Sequence, residues 1–303
     1  MTRPLRLGTR GSPLALWQAN MVADALCTIH GLDRQAIEIV PIRTTGDKVQ
    51  DRALAEIGGK ALWTKELDRA LLAHEIDFAV HSMKDVETIR PAEIVIAAMP
   101  PRADTRDRLI GADSLAALPP DARVGTSSPR RAAQVRRARP DAEILLFRGN
   151  VDTRLRKLAE GEADATLLAA AGLERLGRND IGTPLDDLLP APAQGAVGVE
   201  ARADDRETLA LLAAIDHRPT SLCVRAERAL LAALNADCRS PVAALAEIAS
   251  GQIHLRAEIL TEDGGQFEAG EIAFPFHEES APQTLAQILL DRAGPDLRAL
   301  FGA

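Results

Sequence analysis

Two distant segments of this chain repeat one local grammar, and the repetition constrains the fold more than any other feature. Leu5-Arg6-Leu7-Gly8-Thr9 reads as a strand, and Ser12-Pro13 opens a helix behind it. After a break at Pro100-Pro101-Arg102, the stretch from Ala122 to Thr126 reads as a strand ending in Gly125-Thr126, and Ser128-Pro129 opens another helix. Serine before proline marks a helix start because the hydroxyl accepts an orphan amide and proline has no amide to leave unpaired. Strand and helix signals alternate around both segments. In the first half, strands are expected at Ile37 to Val40, Ile76 to Val80 and Ile94 to Ala98, with a helix from Ala61 to His74. In the second, strands at Glu143 to Phe147 and Asp164 to Ala169 flank a helix from Asp152 to Glu160. Such alternation predicts parallel α/β sheets. The first helix is expected to bury Leu14, Trp17, Met21 and Ala25 and to end at Gly31.

Leu188 to Gly195 has linker composition, and the strand-like Ala196 to Glu200 and helical Thr208 to Ile215 are expected to return to the first lobe. A helix from Ser221 to Asn235, strands at Val242 to Ala249, Gln252 to Leu260 and Glu268 to Phe274, and a helix from Pro282 to Ala293 predict a small α+β third domain. The expected division is 1–99 with 196–216, 102–191, and 218–303.

The 303 residues carry a net charge of −8, yet arginines concentrate in Gly/Ser-rich segments at predicted strand ends. Local cations on an acidic protein point to a specific polyanionic small molecule rather than diffuse attraction. Arg130 and Arg131 sit in a first helical turn, where the dipole disfavours cations unless an anion joins them. Arg148 follows a strand and Arg154 opens the next helix, so they are expected near the same ligand; Arg136, Arg137 and Arg139 read as a solvated face. His81-Ser82-Met83-Lys84-Asp85 follows an apolar strand, where α/β sheets place ligands. Lys84 there suits an anionic group, Asp85 a developing positive charge or a proton transfer, and His81 alone reads as structural.

With six Phe, two Trp and no Tyr, the chain lacks a base-stacking surface, so nucleic acid is not an expected partner. No apolar run approaches the roughly 18 residues of a membrane span, and the start lacks an apolar signal core, so a cytoplasmic protein with no membrane partner is expected. Cys27, Cys223 and Cys238 have neither disulfide nor metal-ligand spacing, so no metal is expected. Cys27 and Cys223 fit helical core positions; Cys238, in Asp237-Cys238-Arg239-Ser240-Pro241, reads either as a small core residue or as a nucleophile or covalent anchor whose neighbouring cation favours the thiolate.

Taken together these residues resemble the porphobilinogen deaminase (hydroxymethylbilane synthase) family. The likeness is nearly full length: Arg10 to Gln18, Gly58-Gly59-Lys60, His81 to Val86, Gly125-Thr126-Ser127-Ser128 with Arg130-Arg131, Arg148-Gly149-Asn150, Thr153-Arg154, Ala170 to Gly177 and Gln194-Gly195-Ala196. The resemblance implies two doubly wound lobes of the periplasmic-binding-protein type II kind with an active-site cleft between them, plus the third domain. It also implies a transferase that condenses four porphobilinogen units head to tail, releasing ammonia at each addition, and then frees hydroxymethylbilane by hydrolysis for tetrapyrrole and heme biosynthesis. The implied cofactor is a dipyrromethane primer attached through a thioether to Cys238, with Lys84, Thr126, Ser127, Ser128, Arg130, Arg131 and Gly195 around it. Arg10, Ser12, Arg148, Arg154 and Arg175 match substrate-binding positions, and Asp85 matches the catalytic carboxylate. A monomer is implied. Asp237, Ser240 and Ala193 depart from the family pattern. A non-catalytic receptor for a small anion is the rival reading from the same lobes, but it has no use for Cys238. A nucleic-acid module built on Arg136 to Arg139 is the other.

Overall fold

The structure, a computed structural model, describes residues 3–44, 63–237 and 239–302. Gly58, Gly59, Lys60, the start of the helix expected from Ala61, and Cys238 lie outside the described residues. The first elements in chain order are β1 (Leu5–Arg10), α1 (Pro13–His30), β2 (Ile37–Ile42), α2 (Lys65–Leu72), β3 (Phe78–Ser82) and β4 (Ile94–Ala98). They are followed by β5 (Asp107–Ile110), β6 (Arg123–Thr126), α3 (Pro129–Ala138), β7 (Glu143–Leu146), α4 (Val151–Ala159), β8 (Ala165–Ala169), α5 (Ala170–Arg175) and β9 (Thr183–Leu185). The last are β10 (Val197–Arg202), α6 (Arg206–Ala213), α7 (Arg218–Ala233), β11 (Val242–Ala249), β12 (Gln252–Leu260), β13 (Phe267–Phe274), α8 (Ala281–Arg292) and α9 (Pro295–Ala299). Among the described residues no helix is long and apolar enough to cross a membrane.

Two compact units result, one from the described residues of 1–103 and 195–221, the other from 104–194 and 222–303. The first unit holds a sheet of order β2-β1-β3-β10-β4 and the second a sheet of order β7-β6-β8-β5-β9. Both are doubly wound on one plan, and both depart from the all-parallel expectation at the same place. β1 runs parallel to β2 and β3, whereas β10 is antiparallel to β3 and β4; likewise β6 is parallel to β7 and β8, whereas β5 is antiparallel to β8 and β9. An antiparallel neighbour needs no crossover helix, so a strand arriving from elsewhere in the chain can fill the slot. β5 and β9 escaped the sequence reading because each is short and β5 carries Asp107 and Arg108 among its four residues.

The Ser-Pro grammar forms as read. Ser12 caps α1 by accepting from the Ala15 amide at 3.3 Å, and Ser128 caps α3 by accepting from the Arg131 amide at 3.4 Å. Gly31 ends α1 in the left-handed region at φ 62°. The buried face of α1 is not the expected one: Ala15, Gln18, Ala19, Val22, Ala23, Leu26 and Cys27 face inward, and Trp17 is 41% exposed. Alanines allow the helix to lie close on the sheet, which moves the larger Leu14 and Met21 to its flanks. Leu7, Val22, Leu26, Phe78, Val80 and Val199 form this lobe's core, and Leu109, Val124, Val135, Ala165 and Leu167 that of the second.

The third sheet is an antiparallel meander, β11-β12-β13, whose core joins Leu230 on α7 and Leu234 just after it to Leu255, Ile259, Leu285 and Leu289. Within the same unit α3 docks on it, which corrects the solvated-face reading of its arginines. Arg137 pairs with Glu258 and stacks 4.0 Å from the Phe267 ring centroid, while Arg136 Nη1 donates to the Glu262 carbonyl at 2.8 Å. Arg139 Nη1 donates to the Leu115 and Leu118 carbonyls at 2.9 and 2.8 Å. Cys27 and Cys223 are buried, as expected of core thiols.

Candidate active site

In the first lobe, β1 and β3 are parallel neighbours, so their carboxyl ends share one edge of the sheet. That edge gathers Arg10, Ser12, Lys84 and Asp85. Gly8 lets β1 run close to its cover, because a Cβ there would stand 2.3 Å from Ile76 Cδ1. Arg10 ends the strand with its guanidinium carbon 3.9 Å from the Trp63 ring centroid. After β3, Met83–Asp85 form a single 3-10 turn, with Lys84 and Asp85 half-buried and Met83 fully buried. The turn is closed by the Val86 amide donating to the Met83 carbonyl at 3.2 Å, and the Met83 amide donates to the Ala196 carbonyl at 3.0 Å. Gly195, at φ 85°, precedes β10, whose Val197 pairs with Ser82, so it lies at the same edge. Ser82 is pinned from α1, Gln18 Nε2 donating to its Oγ at 2.8 Å.

Below this edge lies a charged cluster that the sequence reading missed apart from His81. Glu200 on β10 is fully buried; Arg90 Nε donates to its Oε1 at 2.8 Å and Arg90 Nη2 to its Oε2 at 2.9 Å. His81 Nε2 stands 3.1 Å from Glu200 Oε2, within ion-pair reach though off the line of a hydrogen bond. Burial raises the Glu200 carboxyl's pKa, but the proximity of His81 and then the charge of Arg90 reverse this and hold it at about 2. Glu200 is anionic at neutral pH.

In the second lobe, the parallel β6, β7 and β8 bring Thr126, Ser127 and Ser128, Arg148, and the helix carrying Arg175 to one edge. Arg148 and Arg175 are each 8% exposed, and burial lowers the Arg175 pKa against the opposing charge of Glu174. Arg154 Nη2 donates to Ser127 Oγ at 3.1 Å and its Nε to the Gly149 carbonyl at 3.0 Å, which ties α4 to the start of α3.

Arg130 and Arg131 find the anion that their helix-start position demands inside the chain itself. Arg130 Nη2 donates to Asp107 Oδ2 at 2.7 Å and Arg131 Nη2 to Asp107 Oδ1 at 2.6 Å, all three side chains being buried. Gln194 Nε2 adds a third donor to Asp107 Oδ1 at 2.8 Å. Burial opposes ionisation of Asp107, but the two guanidinium charges overturn it and hold the carboxyl far below the usual range. Asp107 was not singled out from the sequence; the available signal was a lone carboxylate opening a strand just after Arg106.

The second-lobe residues fit a group bearing carboxylates. Two guanidiniums share one aspartate, so the buried cluster keeps a net positive charge, and the buried Nε atoms of both Arg130 and Arg131 have no hydrogen-bond partner among the described residues. Asp237 and Arg239, on either side of the proposed anchor in sequence, pair with each other at 2.7 Å.

The family description "Porphobilinogen deaminase, dipyromethane cofactor binding domain" matches residues 5–210, and "Porphobilinogen deaminase, C-terminal domain" matches residues 221–291. A curated porphobilinogen deaminase of Sphingopyxis alaskensis is 60% identical over 306 aligned positions, covering 98% of this chain and 96% of the relative. One of Paracoccus denitrificans is 51% identical, covering 97% and 96%. Among solved structures, a periplasmic His/Glu/Gln/Arg/opine family-binding protein from Silicibacter pomeroyi, in complex with lysine, is similar at 17% identity over 70% of this chain and 88% of that one, with a TM-score of 0.39; the fold stands on the two strand orders, not on that likeness. Matches of this length and identity, falling on a chain whose arginine-rich strand ends and Lys-Asp turn were described above, establish that it belongs to the porphobilinogen deaminase family.

Proposed function

We propose that this chain condenses four porphobilinogen units head to tail with loss of ammonia and releases the linear tetrapyrrole, hydroxymethylbilane, by hydrolysis. The observation that carries the reading is the match to the cofactor-binding family description over residues 5–210 together with 60% identity across 98% of the chain. When bound, dipyrromethane supplies a covalently retained primer whose terminal pyrrole carbon is the nucleophile. Cys238 is the proposed thioether anchor, and Lys84, Thr126, Ser127, Ser128, Arg130, Arg131 and Gly195 are proposed to hold the primer's acetate and propionate groups.

Arg10, Ser12, Arg148, Arg154 and Arg175 are proposed to bind the carboxylates of incoming substrate, charge-assisted bonds being roughly twice as strong as neutral ones. The Asp85 carboxylate faces the positive charge that develops on the substrate as ammonia leaves, and it takes up and returns the proton at the pyrrole nitrogen. Its place on a short turn held by β10 keeps that carboxylate in register with the edge bearing Lys84 and Arg10. The third domain is proposed to span 218–303, with lobes at 1–99 with 196–216 and at 102–191. We further propose a cytoplasmic monomer that engages neither membrane nor nucleic acid, a reading supported by a sequence pI near 5.4 and the absence of tyrosine.

The test is Asp85→Asn beside Cys238→Ser. Asp85→Asn is expected to retain the primer and lose nearly all porphobilinogen consumption, whereas Cys238→Ser is expected to carry no thioether-linked pyrrole. Near-normal turnover in the first, or a pigment-reactive primer in the second, overturns the assignment.

A further inference from the structure

We propose that Glu200 is a positioning residue that clamps both ends of the segment bearing Asp85. The inference rests on the reading of Asp85 as the catalytic carboxylate. His81 is the next-to-last residue of the strand before the turn and Arg90 lies beyond the turn, and both reach the same carboxylate: His81 Nε2 at 3.1 Å, Arg90 Nε and Nη2 at 2.8 and 2.9 Å. The segment 81–90 is thus tied at its two ends to one side chain of the neighbouring strand.

The middle of the segment is held from the same strand. The Met83 amide donates to the Ala196 carbonyl, and the Met83 side chain packs over Gly198 so closely that a Cβ there would stand 2.0 Å from Sδ. Gly198 and Glu200 are two residues apart on β10 and so share a face of the sheet. β10 and the residue just before it therefore hold the segment near its start, through His81 and Met83, and at its end, through Arg90. Arg90 extends the clamp outward, donating to Glu87 Oε2 at 2.7 Å, which also accepts from Thr64 Oγ1 at 2.6 Å, and pairing with Asp68 on α2.

The choice of residue argues for position rather than stability. Burying an ion pair in a strand gains little over a well-packed apolar pair, because desolvation consumes most of the attraction. Directional bonds do supply a defined geometry, and a misplacement of the order of 1 Å at a catalytic group can lower a rate by about 100-fold. A glutamate inside an otherwise buried strand takes two directional bonds from Arg90 and holds His81 within ion-pair reach.

The experiment uses the primer-loaded enzyme. In Glu200→Gln, kcat is expected to fall by roughly 10- to 100-fold with KM within about twofold. Amide hydrogen exchange over 83–89 is expected to quicken by at least about tenfold while the amides of β1 are unchanged. Arg90→Gln, which releases only the far end, is expected to show the same signs at smaller size. Wild type gives a reading that needs no variant: the Met83 and Val86 amides are expected to exchange only as slowly as those of β3. Local opening of those two amides in wild type, or folded variants with unchanged kcat, or exchange raised evenly across the lobe, overturns the clamp. Asp85→Asn separates the two failures: activity in Asp85→Asn sinks the reading of the site, whereas an inactive Asp85→Asn beside fully active Glu200→Gln and Arg90→Gln sinks the clamp alone.

Discussion

The two lobes share a strand order and a helix-start grammar, and each buries a carboxylate on the same topological strand, yet at different depths. In the first lobe Glu200 on β10 pairs opposite Ala79, the second residue of β3 and so well back from that strand's carboxyl end. In the second, Asp107 opens β5 opposite Ala169, the last residue of β8 and hence at the carboxyl edge. Depth sets what the charge can organise. Asp107 holds two guanidiniums at the edge where the proposed ligand residues gather, whereas Glu200 lies beneath its edge beside the turn that carries Lys84 and Asp85. One architectural slot thus holds two guanidiniums at the carboxyl edge of one sheet and, in our proposal, the frame of a turn beneath the edge of the other.

The largest effect that sharpens this contrast is expected from Asp107→Asn. Removing one partner of a buried pair leaves two cations uncompensated, so stability is expected to fall by about 3 to 5 kcal/mol, read from urea unfolding, and primer loading is expected to fall with it. If Asp107→Asn loaded primer normally while losing that stability, the edge role assigned to the second lobe would be wrong.

Acid unfolding distinguishes the lobes next. A depressed carboxyl pKa gives stability that is present above the unfolded value and lost as pH falls toward the folded one. For Glu200 that loss is centred between 4.5 and about 2. The stability advantage of wild type over Glu200→Gln is therefore expected to shrink across that range. Asp107 has the lower unfolded value, 3.8, so Asp107→Asn is expected to change the slope between pH 4.5 and 4 less than Glu200→Gln does.

The echoed glycines are expected to differ more modestly. A Cβ at Gly125 would meet the Phe147 ring at 2.4 Å, a flat group that cannot withdraw, whereas one at Gly8 would meet the end of the flexible Ile76 side chain. Gly125→Ala is expected to lower stability by about 1 to 3 kcal/mol and Gly8→Ala by less, both read by thermal unfolding. The smallest change is expected from Ser12→Ala and Ser128→Ala, about 1 kcal/mol each; unequal effects would show that the two helix starts are equivalent in sequence only.

What the sequence revealed was local. The Ser-Pro starts form where they were expected, whereas the strand expected at Ile76 to Val80 runs two residues later, Phe78–Ser82, and takes in His81 and Ser82 before the turn with Lys84 and Asp85. What stayed hidden depends on partners far along the chain: Arg90 meets Glu200 across 110 positions, and Gln134 meets Glu258 across 124. Arg136 and Arg137 looked solvated for that reason, since the hairpin they meet lies more than a hundred residues further along the chain. The misjudged face of α1 has a different origin, because alanine contributes little to an apolar pattern yet decides how closely a helix can approach a sheet.

The central claim is stepwise covalent elongation on Cys238, and intact-mass measurement of the purified chain before and after brief exposure to porphobilinogen tests it most directly. The account predicts a starting mass equal to the polypeptide plus two linked pyrrole units, mapped to the Cys238 peptide. It then predicts a ladder of heavier species, each larger by one porphobilinogen less ammonia. A bare polypeptide mass that substrate leaves unchanged would contradict it.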